Sequence, residues 1–194
     1  MQDRGMIEGL VLSCIYQDLT LVTELEPDFF STDKSIFYFV LAREMSKTIK
    51  EVDMISVCAW CNTNGLLQVF EGYGGYESIN NLLKLEGNVD NFYSYVDDLR
   101  KHVLIQGYTE LGFDLNKCYE LNGEKVIPSE VLPFMDSIQF GSLIQSIFLN
   151  VGAYFDAHLM YLYTKHEDLW FKDGYTAISM GAFVGVGIKL GERG

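Results

Sequence analysis

Apolar residues over positions 1–118 recur three and four apart, the spacing of helices that bury one face. Ile7, Leu10, Val11, Cys14 and Ile15 make the first stripe, and Leu19, Val22 and Thr23 begin a short second one. Pro27, set among acidic and Ser/Thr residues, breaks the chain. Thr32 or Asp33 can then cap a helix carrying Ile36, Phe37, Val40, Leu41 and Met45. Val52-Asp53 repeats the cap before Met54, Val57, Cys58 and Cys61, and Asn64-Gly65 supplies a left-handed stop. A glycine-rich bend at 72–75 leads into Tyr76, Ile79, Leu82 and Leu83. Asn88 or Asp90 caps a longer helix with Phe92, Tyr95, Val96, Leu99, Val103 and Leu104, extending to Tyr108 and Leu111. About six short helices with brief connections predict an all-α fold, a small helical bundle with a helical hairpin.

The pattern loosens over 119–129, where Leu121-Asn122-Gly123-Glu124 and Pro128 have the composition of a linker. Helical spacing returns over 131–148 with Ile138, Leu143, Ile144, Ile147 and Phe148, made irregular by Pro133 and Gly141. A further helix is expected over 153–163, with Phe155, Leu159, Leu162 and Tyr163 on neighbouring turns. From Asp168 onward glycines alternate with Ile, Val and Phe, the composition of loops and strands. The expected units are a helical domain at 1–118, a linker with its helix at 119–165, and a leading segment of something further at 166–194.

Charge narrows the function. The 194 residues carry 27 acidic and 14 basic side chains, a net charge of −13. Affinity for nucleic acid comes largely from Lys and Arg displacing counterions, so this polypeptide is not expected to grip DNA itself. The N-terminal residues lack the basic flank and apolar core of a signal peptide. No run of 18 uncharged apolar residues precedes the interrupted one near the C-terminus, so no membrane contact and a cytoplasmic location are expected. Cys14, Cys58, Cys61 and Cys118 lie scattered among apolar residues, as reduced core thiols do. Of the many aromatics, Phe37, Phe39, Phe92 and Tyr95 sit at helical spacing and are assigned to the core. Tyr154, Phe155, Tyr161, Tyr163, Trp170 and Phe171 suit a subunit interface.

Residue spacing speaks against three chemistries. Cys58-Ala-Trp-Cys61 can bind zinc or cycle as a disulfide, but it lies in a helical stripe, not at a strand-to-helix junction, and no second ligand pair accompanies it. A phosphate loop requires a Lys followed by Ser or Thr, and Leu190 follows Lys189. The dinucleotide pattern begun by Gly185 and Gly187 meets Leu190 at its sixth position. His102, His158 and His166 stand apart from the cysteines and from one another, and His158 and His166 are assigned to the surface. No catalytic, cofactor-binding or metal-ligating residue is therefore assigned.

Several short elements do occur together in order. They are Glu8-Gly-Leu-Val-Leu-Ser-Cys-Ile-Tyr-Gln-Asp18, Leu25-Glu-Pro-Asp-Phe-Phe30, Ile36-Phe37, Val52-Asp-Met-Ile-Ser56, Asn64-Gly-Leu66, Gly74-Gly-Tyr-Glu-Ser-Ile79 and Asn88-Val-Asp-Asn-Phe92. Each alone is unspecific. In this order and spacing, positions 7–112 resemble the N-terminal domain of DnaB-type replicative helicases. Asp97 and Asp98 depart from the basic residues usual there, and this drift points to a phage source. The segment 129–148 stands where that family has its linker helix. Gly187-Ile-Lys-Leu-Gly-Glu192 resembles the turn preceding its RecA-like motor, which is absent from these 194 residues.

The resemblance implies a hexameric, ATP-dependent helicase that unwinds DNA 5′ to 3′, with ATP and magnesium held by the motor and no cofactor in this chain. It implies homo-oligomerisation through a hairpin bearing Val96, Leu99, Val103 and Leu104. It further implies docking of the linker helix on a neighbouring subunit through Ile138, Leu143, Ile144, Ile147 and Phe148, with a primase or helicase loader bound at the collar and DNA met through the ring. The alternative is a freestanding adaptor, loader or inhibitor with a helicase-like N-domain. A zinc or redox protein built on Cys58 and Cys61 ranks third.

Overall fold

The computed structural model describes residues 3–150, a predominantly helical chain with one small two-stranded sheet. Helix α1 (Arg4–Gln17) starts at Asp3, whose carboxylate accepts the Met6 N–H. It is the hub of the fold. Ile7, Glu8, Gly9, Val11, Leu12, Ser13, Cys14, Ile15 and Tyr16 are all buried, wider than the stripe its apolar spacing predicts. A helix buried all round needs neighbours on every side, and α2 (Asp33–Met45), α5 (Gly75–Leu83) and α6 (Phe92–Glu110) supply them.

The connections behave as local chemistry dictates. Asp18 caps a 3-10 turn at Leu19–Glu24, and Pro27 opens another at Pro27–Phe29. Thr32 caps α2, its hydroxyl accepting the Ser35 N–H. Asp53 caps α3 (Met54–Thr63) with bonds of 2.9 and 3.0 Å from the amides of Ile55 and Ser56. Gly65 at φ +70° ends α3 and lets the Leu66 amide reach back to the Cys61 carbonyl. After α4 (Leu67–Gly72) the chain turns through Gly74 and Gly75, both at positive φ. A side chain at Gly74 would stand 2.5 Å from the Ser78 hydroxyl, so glycine there is set by space as well as by backbone.

One stripe is rotated from its expected centre. In α2 the fully covered residues are Tyr38, Phe39, Leu41, Ala42 and Met45, while Ile36, Phe37 and Val40 pack at the core's margin. Tyr38 can be buried because its hydroxyl donates to the Gly75 carbonyl at 2.9 Å. Tyr16 in turn donates to the Tyr38 carbonyl, also at 2.9 Å. Hydrogen bonds across three elements thus decide which aromatic goes inward, and helical spacing alone carries no record of them. Phe39 and Phe92 are fully buried as expected, with Phe37 and Tyr95 at the margin.

Beyond α6 the expected linker has structure. Strands β1 (Tyr119–Leu121) and β2 (Glu124–Val126) pair antiparallel with Tyr119 opposite Val126. Asn122 and Gly123 both have positive φ, the two-residue hairpin turn that Asn-Gly favours. The helix expected over 131–148 is three pieces: α7 (Pro128–Val131), a 3-10 turn at Leu132–Phe134 containing Pro133, and α8 (Ser137–Asn150). Asp136 starts α8 through a reciprocal cap with Gln139, each side chain accepting the other's amide N–H. The expected 153–163 helix, the glycine-rich tail, and the interface aromatics from Tyr154 to Phe171 lie outside the described residues.

Candidate functional site: the faces of α6 and the segment that covers it

Two separate hydrophobic clusters meet at α6. Its N-terminal half sends Phe92, Val96 and Leu99 into the main core with α1, and Val103 packs at that core's edge. Its C-terminal half sends Ile105 and Tyr108 into a second cluster with Phe113, Tyr119, Leu132, Phe140, Ile144 and Ile147. Phe113 stacks on Tyr119 and touches Phe148, which also meets Tyr108 with ring centroids 5.4 Å apart.

α8 lies along α6 in the same direction. At one end the Ser137 amide donates to Asp97 at 2.8 Å, and at the other Phe148 meets Tyr108; both pairs are 40 residues apart in sequence. Two helices running in parallel must be joined by a return path, and the hairpin and α7 provide it. The buried positions of α8, Ser137, Phe140, Gly141, Ile144 and Ile147, follow the helical repeat and make its contact face.

Hydrogen bonds tie α6 to its neighbours at both ends, each backed by a local ion pair. Lys101, only 9% exposed, lies 3.0 Å from Asp97 and 3.3 Å from Asp98. Burial alone would raise the Asp97 pKa, but the Ser137 hydroxyl and amide and the Lys101 ammonium outweigh it and hold the carboxyl below its ordinary value. Near the other end Arg4 of α1 pairs with the buried Glu8 at 3.0 Å, donates to the Phe29 carbonyl, and bonds the Gln106 side chain. Glu8 also accepts the Ser31 amide at 2.9 Å.

The residues expected at a subunit seam divide. Val96 and Leu99 are buried inside their own chain, 3% and 0% exposed, and they hold α6 on α1. A side chain filling its own core has no surface left for a partner, so these two are core residues. Val103 is half-buried at the core's edge, and Leu104 is half-buried and belongs to neither cluster. Of the residues assigned to linker-helix docking, Ile144 and Ile147 are buried against this chain's own α6 and hairpin. Leu143 and Phe148 flank them, and Ile138 remains 43% exposed. Sequence spacing found this face but not what it covers. Phe140, the largest buried side chain of α8, and its partners Phe113 and Tyr119 were not assigned to any site. The Asn122-Gly123 hairpin turn was the available signal for them.

Cys58 and Cys61 lie on α3. Burial first, then the nearness of Cys58 and Glu71, pushes the Cys61 thiol up to about 11. Burial does the same to Cys14. A thiol that keeps its proton is a poor nucleophile and a poor metal ligand. Among the described residues no group of three His, Cys, Asp or Glu side chains is arranged to hold a metal ion. No described helix is long and apolar enough to cross a membrane. The chain matches no family model, no curated protein and no solved structure.

Proposed function

We propose that this chain is the N-terminal collar and linker part of a DnaB-type replicative helicase, serving oligomerisation and the docking of a primase or helicase loader. The observation that carries the reading is where the resembling elements fall. Asp18 and Asp53 cap helical turns, Asn64-Gly65 ends α3, Gly74-Gly75 turns into α5, and Asn88 caps the 3-10 turn at Val89–Asn91 that runs into α6. Residues that hold several joints of a helical domain are the part of a sequence that a shared fold would retain. The acidic balance suits a collar that encircles DNA without adhering to it and recruits a basic partner. ATP and magnesium belong, on this reading, to a motor beyond the 194 residues.

Self-association is assigned to the exposed side of α6, with Leu104 and the outer edge of Val103 in the seam, since Val96 and Leu99 serve the chain's own core. Light scattering on the full chain tests this. The expected mass is an even multiple of 22.1 kDa, and Leu104→Asp lowers it to that of one chain without loss of helicity. A monomer at every concentration overturns the collar reading. Leu99→Asp is not a usable variant for this purpose, because it would place a charge in the core and unfold the domain. The mass of the native product, captured with an antibody against 1–118, separates a helicase collar from the freestanding adaptor. A product much heavier than 22.1 kDa supports the collar.

A further inference from the structure

We infer that residues 113–148 form a strap that opens from α6 as a unit while the main core stays folded, with the Asp97 carboxylate as its latch. The strap has its own hydrophobic cluster, built from Phe113, Tyr119, Leu132, Phe140, Ile144 and Ile147, and it borrows only the C-terminal face of α6. The main core is complete without it: every buried residue there lies between Ile7 and Leu99, outside the strap. Segments with separate cores open separately when few bonds join them.

The join is apolar along its length and differs at its two ends. At the α8 N-terminus one carboxylate serves three groups, accepting the Ser137 amide at 2.8 Å, meeting the Ser137 hydroxyl and pairing with Lys101 at 3.0 Å. At the other end the Phe148 ring of the strap meets the Tyr108 ring of α6, with centroids 5.4 Å apart. Between α6 and the strap lies Gly112 at φ +88°, with open space where a side chain would stand, and the Gly112 and Phe113 amides close the last turn of α6 on the Thr109 and Tyr108 carbonyls. Opening bares the α6 face at Ile105 and Tyr108 together with the Phe140, Ile144 and Ile147 face of α8. The chain thus keeps an apolar surface covered that it can present without unfolding.

Amide hydrogen exchange on the full chain tests the strap. In the native chain, amides within 140–148 are expected to exchange through a smaller opening than those of Val11 to Ile15 in α1. Asp97→Ala removes the latch, and the loss of a charged hydrogen-bond partner is expected to speed exchange over 140–148 about tenfold or more. Exchange in α1 and α5 should stay within about twofold of native, the scatter expected of an uncoupled site. Ile144→Ala, which trims the strap's own core, should reproduce that asymmetry. Ile79→Ala, in the main core, should lower protection of α1 and leave the strap at its native rate. Equal acceleration of both regions by Asp97→Ala would show one cooperative unit and overturn the strap. An unchanged rate over 140–148 would remove Asp97 as the latch.

Discussion

Gly87 sits where the 85–88 connection crosses α1, and replacing it tests how closely the two are seated. A Cβ there would lie 2.7 Å from the Leu10 carbonyl oxygen, 3.0 Å from the Ser13 Cβ and 3.1 Å from the Cys14 sulfur. The nearest of these is backbone within a helix and cannot turn away as a side chain could. The segment must lift, and lifting stretches two hydrogen bonds: Gly87 N–H to the Ser13 hydroxyl at 3.2 Å, and the Gln17 amide to the Gly87 carbonyl at 2.7 Å. Overpacking costs about 1–3 kcal/mol, and stretching the two bonds forfeits only part of the about 0.5–1.5 kcal/mol that each is worth, so Gly87→Ala should destabilise by about 2–3 kcal/mol. For a chain of this size that is a fall in Tm of about 5–10 °C. Gly107 in α6 is the control, since nothing lies within 4 Å of its Cβ position. There alanine should stabilise by about 0.5–1 kcal/mol through helix propensity. Urea titration followed by circular dichroism reads both, and the opposite signs are the point. A Gly87→Ala midpoint indistinguishable from the native one would refute the close seating of this segment on α1.

Other consequences are equally checkable. Arg4→Ala leaves the Glu8 carboxylate buried with the Ser31 amide but without its cation, and a loss of about 3 kcal/mol is expected in the same titration. The Asp97 carboxyl is held below its ordinary value in the fold, so its contribution is present above about pH 4, the unfolded value, and fades as pH falls through the lower folded one. Protection over 140–148 should therefore fall in acid before that of α1. A parallel loss in both would contradict the assignment. Thiol titration should find Cys118, which is exposed, reacting at once, and Cys14 and Cys61 only on denaturation. Rapid labelling of Cys61 would revive the redox reading of its motif.

The local grammar of the chain was written in its own residues. Thr32, Asp53, Gly65, Gly74 and Asn88 act through neighbours two to five positions away, so caps, turns and the all-α class followed from the sequence without tertiary knowledge. The Asn122-Gly123 turn was equally local, and only its short flanking strands hid it within a stretch of linker composition. What the sequence could not assign was which partner each apolar face meets. Val96 and Leu99 carry the same spacing whether α6 packs on α1 or on another subunit, and the Ile144 and Ile147 stripe reads the same on its own chain as on a neighbour. Tyr38 enters the core because a carbonyl 37 residues away accepts its hydroxyl, and Asp97 meets an amide 40 residues away. Those pairings depend on how far the chain travels before it returns. Periodicity records that a face is buried, and only the folded chain decides against what.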